Sequence, residues 1–188
     1  MTMILVILII LVVFLIYYLF RFETIQVGHR QWKVLRKYSN KSDAANLIHQ
    51  VHNKVIELLT YLKDNYPDHV STKRLLIYYD PTIIHENDPG DSTSYTIGKG
   101  DLLMLCVRNI DEKNKLTDIN TLTFVVLHEL SHIANTTWRH DDRFWKTFKF
   151  ILETAVYNKL YTPIDYSVNQ VNYCGLLLDY NPLFDSNV

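Results

Sequence analysis

The sequence predicts an α+β domain preceded by one N-terminal transmembrane helix. Three observations predict it. Residues 3–20 contain no charged side chain. After them, helical and strand-like hydrophobic periods alternate without βαβ order, which argues for α+β rather than α/β. The 188 residues suffice for one domain with a real core, and there is no repeat or low-complexity stretch.

The apolar run comes first. From Met3 to Phe20 a helix would reach roughly 27 Å, about one hydrocarbon core. Tyr17, Tyr18 and Phe20 end the run, where aromatic rings favour a membrane interface. A cleaved signal peptide would need a basic residue before the run and a small-x-small site after it; this chain opens Met-Thr-Met and closes into "RFETIQ". Net charge is −1, but residues 21–41 carry Arg21, Arg30, Lys33, Arg36, Lys37 and Lys41 against the single acid Glu23. Basic residues on the C-terminal side of a span place the following domain in the cytosol. The expected localisation is a single-pass membrane protein with its soluble domain facing the cytosol. Cys106 and Cys174 are too few for a disulfide framework and are expected as free thiols, in agreement with that side of the membrane.

The expected organisation is an anchor over 1–21, a basic juxtamembrane segment with a first strand over 22–41, and the functional domain over 42–188. "RQWKVLRKY" (30–38) alternates and reads as a strand. The next stretch places Ala44, Leu47, Ile48, Val51, Val55, Leu58, Leu59 and Leu62 at helical spacing, with Ser42 or Asp43 as cap and Pro67 beyond its end. "RLLIYYD" (74–80) reads as a strand and "PTIIHENDPGDST" as a loop. "SYTIGKGDLLMLCVRN" reads as a strand or a hairpin, with "GKGD" as its turn and "LLMLCV" as the buried strand. "TDINTLTFVVLHELSHIAN" is a helix capped by Thr117 or Asp118, and "HDDRFWKTFKFILETAVYNKL" is another, with acids in its first turn as the helix dipole favours. The aromatic-rich tail from Tyr161 is irregular.

Chemistry concentrates in "VVLHELSHIANTTWRHDDRFW" (125–145). His128 and His132, four apart on a helix, differ by about 40° in direction and about 6 Å in height, so both imidazoles reach one cation. Glu129 lies about 100° around, beside such a cation, where a general base for a metal-bound water belongs. Zinc needs a third protein ligand and an open position. His140 is the expected third, brought back by a turn through Asn135, Thr136 and Thr137; Glu153, one helix on, is the competing candidate. Phe144, Trp145, Phe148 and Ile151 form the face that packs the second helix and holds His140. The bland alternative, a solvated His-Glu-His face, fits poorly among Val125, Val126, Leu127, Leu130 and Ile133, where unpaired ionisable groups are costly. The other histidines are expected to be ordinary: His49 and His52 on a solvated helix face, His29, His69 and His85 in loops.

"HELSH" followed by "HDDRFW" resembles the WLM family of zinc metallopeptidases and, more loosely, the SprT-like group, in which an H-E-L-x-H helix precedes a third histidine and an aromatic pair. "SYTIGKG", "LLMLCVRN" and "NYCGLLLDYNP" are similar to segments of that family, most of all to membrane-anchored WLM-like proteins of large DNA viruses. The resemblance spans about residues 30–182; the interval of eight from His132 to His140 exceeds the six of many members. It implies a small zincin-like, gluzincin-type domain with His128, His132 and His140 binding Zn2+ and Glu129 as catalytic base. It also implies a protein or peptide substrate. The membrane, through Met3–Phe20, is an expected partner. Nucleic acid is not expected as one: the chain outside 21–41 is acidic, and the basic run adjoins the bilayer. The alternative is a structural virion or membrane-anchoring protein on the same fold, with or without zinc, touching capsid or other virion proteins in the inner membrane of a virion. Tyr173 is the candidate for oxyanion stabilisation.

Overall fold

A five-stranded mixed sheet organises the molecule in the computed structural model, which describes residues 2–111, 115–137 and 139–188, with the side chains of 2, 18 and 19 left out. Strands β1 (Phe22–Val27) and β2 (Arg30–Leu35) form an antiparallel hairpin closed at Gly28, whose φ of 58° suits glycine. β3 (Ile84–Asn87), β4 (Tyr95–Ile97) and β5 (Leu102–Cys106) complete the order β1-β2-β3-β5-β4. β3 is parallel to both neighbours, and β4 is antiparallel to β5 at one edge.

One face of the sheet carries the core. Trp32, Val34, Ile84, Leu103 and Leu105 are buried in one cluster with α2 (Lys41–Asn65) and α4 (Ile119–Ala134). α2 supplies the stripe Ala44, Leu47, Ile48, Val51, Val55, Leu58, Leu59 and Leu62, all buried. α3 (Val70–Tyr78) and α5 (Asp142–Tyr157) pack on α4 from outside, and a small hairpin, β6 (Val171–Tyr173) with β7 (Leu176–Leu178), follows.

The class is thus α+β, but the expected transmembrane helix and single-pass localisation are corrected. Residues Thr2–Arg21 are helical (α1), yet among the described residues no helix is long and apolar enough to cross a membrane. The end of α1 is bound to the domain instead. Arg21 pairs with Asp91, and Arg36 lies 5.6 Å over the Phe20 ring. Tyr18, read as an interface aromatic, lies outside the described side chains. The basic residues after the run, read as a topology signal, partly serve the fold: Lys37 pairs with Asp88 and Lys41 with Glu23 at 2.7 Å.

Four further expectations change. "RLLIYYD" is mostly helix α3: Leu75 is fully buried while Ile77 is 71% exposed, so the apolar run does not alternate into a sheet. The expected loop contains β3, whose four residues are all buried. It looked polar because Glu86 is there, and Glu86 is partnered: its carboxylate takes Arg108 Nε at 2.5 Å and the Leu35 N–H at 2.7 Å. His52 and His85 are buried rather than solvated or in loops; His52 Nδ1 meets the Tyr79 hydroxyl at 2.8 Å and His85 packs on Phe22. Finally, Cys106 and Cys174 form a disulfide between the end of β5 and the β6–β7 turn. That pairing removes the support free thiols gave to a cytosol-facing domain.

Candidate metal centre

Helix α4 starts where Asp118 accepts the Asn120 and Thr121 N–H groups at 3.0 and 2.9 Å, a strong N-cap. Leu122, Leu130 and Ile133 are buried at its core face, and Ser131 bonds back to the Leu127 carbonyl. The remaining face presents His128, Glu129 and His132 to a cleft of about 380 Å³. The chain leaves the helix at Asn135, whose Oδ1 accepts the Thr136 N–H and whose Nδ2 donates to Thr137 Oγ1 at 2.8 Å. It re-enters helix at α5, capped by Asp141 accepting the Phe144 N–H at 3.0 Å. His140 stands just before that cap.

Phe144, fully buried, is the floor under all three imidazoles, with ring centroids 5.0, 4.5 and 4.5 Å from those of His128, His132 and His140. The three Nε2 atoms form a triangle with edges of 3.2, 3.1 and 3.1 Å. Hydrogen bonding cannot satisfy this triangle. Each nitrogen carries either a proton or a lone pair, and each edge needs one of each, so around three edges at least one must fail. A cation facing all three lone pairs removes the conflict. Tetrahedral nitrogen ligands at about 2.0–2.1 Å from zinc stand roughly 3.3–3.4 Å apart, close to the observed edges. Burial lowers the proton affinity of all three rings, to a pKa of about 3 at His128 and about 4 at His132, keeping the neutral, ligand form. The triad could therefore hold a metal ion. Glu153 is exposed on α5, outside this group.

Glu129 lines the same cleft and is 5% exposed. Thr96 of β4 donates its hydroxyl to Glu129 Oε2 at 2.7 Å. Burial raises the carboxyl to about 7, against the opposing pull of Thr96. Phe124, Val125, Leu176 and Leu178 give the cleft apolar walls, with Ser94, Tyr95 and Thr96 along the sheet edge. Tyr173 lines it too, but its hydroxyl donates to the Cys106 carbonyl at 2.6 Å and meets Ser94 Oγ at 2.5 Å. Its proton serves the anchoring of the hairpin rather than the cleft.

Sequence reasoning missed two cations at the end of α4. Lys99 Nζ donates to the carbonyls of His132 and Thr137 at 2.9 and 2.6 Å, and Arg74 Nε donates to that of Ile133 at 3.1 Å. The only signal for Lys99 was a lysine between two turn glycines.

No family model matches the chain. The "Uncharacterized protein R325" of Acanthamoeba polyphaga mimivirus is 30% identical over 151 residues, covering 78% of this chain and 76% of that protein. The "Uncharacterized protein 042R" of Invertebrate iridescent virus 3 is 38% identical over 86 residues, 46% of this chain and 52% of that one. Among solved structures, a Wss1 mutant from Saccharomyces cerevisiae superimposes with a TM-score of 0.53 at 22% identity, covering 68% of this chain and 89% of that chain. Wss1 from the same yeast gives 0.52 at 23%, with 68% and 88% covered. The fold is Wss1-like.

Proposed function

The chain belongs to the viral protein family that includes R325 of Acanthamoeba polyphaga mimivirus, and from that premise we propose that it is a zinc-dependent peptide-bond hydrolase. One observation carries the reading: a triangle of neutral imidazole nitrogens beside a buried carboxylate in a single cleft. The fold shared with Wss1, a WLM-domain metalloprotease, supports it, as do "HELSH" and "HDDRFW".

His128, His132 and His140 hold the ion, and Phe144 and the Asn135 turn hold the histidines. Bound zinc supplies Lewis acidity toward a carbonyl oxygen and lowers the pKa of a coordinated water. Glu129 does the proton work: buried beside the triad in the same cleft, it takes the proton of the attacking water and delivers it to the departing amine. Thr96 fixes the Oε2 side of that carboxylate. β4 ends the strand order and lines the cleft, so its outer edge offers backbone groups to an extended peptide, and the apolar walls face the peptide's side chains.

Zinc titration of single variants tests the ligand set. His128→Ala, His132→Ala and His140→Ala each weaken zinc by more than about 100-fold, beyond the 10–100-fold typical of outer-shell partners. Retention of wild-type affinity by His140→Ala would remove His140 from the set.

A further inference from the structure

The Gly98-Lys99-Gly100 turn does more than join β4 to β5. Gly98 and Gly100 adopt φ of 63° and 114°, conformations that side chains resist. A Cβ on Gly100 would come within 2.5 Å of the Tyr78 carbonyl, so the turn presses directly on the end of α3. Its two glycines thus hold Lys99 at a fixed place against the rest of the domain.

From there Lys99 reaches two segments at once. Its ammonium takes the His132 carbonyl, in the last turn of α4, and the Thr137 carbonyl, in the stretch leading to His140. The first segment carries two of the three imidazoles and the second carries the other. His140 follows His132 by eight residues, and the described residues between the end of α4 and His140 (135–137 and 139) are neither helix nor strand, so its position relative to the helix needs fixing from outside. α5 fixes the far side, through Asp141 and the edge-on contact of His140 with Phe144. On the near side the Asn135 side chain bonds to Thr136 and Thr137 within the turn, its N–H takes the Ser131 carbonyl of α4, and Arg143 of α5 donates to Thr136 Oγ1 at 2.9 Å, whereas Lys99 ties the turn to helix and sheet together. A cation there also meets the negative end of α4.

We propose that Lys99 is a positioning residue for the metal centre, holding the His140 segment in register with His128 and His132 and so setting metal affinity. The inference rests on the metal reading above. Partners that orient ligands typically contribute 10–100-fold in affinity.

The test uses the full chain, a zinc chelator of known affinity in competition, and the visible absorption of the Co2+-loaded protein. Lys99→Met keeps the aliphatic stem and removes the ammonium, and with it the bonds to the His132 and Thr137 carbonyls. It is expected to bind zinc 10–100-fold more weakly, with altered Co2+ bands, while the metal-free thermal midpoint stays close to wild type. Lys99→Arg retains two donors and recovers most of the affinity. Should Lys99→Met fail to fold, Lys99→Gln, which reaches one carbonyl, carries the comparison with a smaller loss in the same direction. Unchanged zinc affinity and Co2+ bands in the folded Met or Gln variant overturn the role of Lys99 alone. Failure of the wild-type chain to bind zinc overturns the metal reading beneath it.

Discussion

Glu129→Gln retains zinc and fold but cleaves peptides about 10²–10⁴-fold more slowly, the usual cost of losing a positioned proton carrier. Glutamine keeps the size of the side chain and leaves an amide group for the Thr96 hydroxyl to meet, so the helix and the triad are not disturbed. It cannot take up a proton. The effect is expected in kcat, because the carboxylate lies along the cleft floor and is not needed to bind the peptide. A chain built on this fold for structure alone owes nothing to that carboxylate, and a Glu129→Gln variant that keeps the full cleavage rate would reject the mechanism while leaving the activity standing.

Arg108→Met destabilises the domain by about 3–5 kcal/mol, the cost of leaving a buried charge without its partner. Arg108 and Glu86 are both fully buried, joined at 2.5 Å. Arg108 also donates to Asn40 Oδ1 and lies 4.1 Å over the Tyr38 ring. The pair ties β3, the segment two residues past β5 and the start of α2 together beneath the strands that lead to the cleft. With a domain of this kind stable by about 5–15 kcal/mol, the loss is a large fraction of the whole. Glu86→Met with Arg108→Met removes both charges and is expected to recover much of it. Urea midpoints of the single and double variants decide: a single variant within about 1 kcal/mol of wild type would mean that the pair is not what holds these strands.

That ion pair also shows where sequence reading runs out. Helices α2, α4 and α5 were legible because their apolar residues recur with a clear helical period, and α4 and α5 also start at aspartate caps; the start of α2 was misplaced, since its cap is Asn40 rather than Ser42 or Asp43. The hairpin of β4 and β5 was legible from its glycines. β3 was not, because a strand buried on both sides normally reads as apolar, and "IHEN" hides a charge whose partner stands 22 positions away. α3 was misread because its apolar run lies largely on the exposed side of a short helix. The N-terminal run gave the right conformation, helix, and the wrong inference from it. In the site, His128, Glu129 and His132 stood out by spacing alone, and His140 by the turn before it. Lys99 and Thr96 did not, since their roles depend on a sheet edge folding over the end of α4, which no local pattern encodes. The pairing of Cys106 with Cys174 was hidden for the same reason: 68 positions separate them.

The most direct test of a zinc-dependent peptide hydrolase is cleavage of an unfolded protein by the purified chain before chelation, after removal of metal by a zinc chelator, and after return of one equivalent of zinc. The expected result is about one zinc per chain, cleavage abolished by the chelator, and cleavage restored by the returned zinc. A chain that holds one zinc and cleaves no protein or peptide across a broad set of sequences, or one whose cleavage is indifferent to zinc, would contradict it.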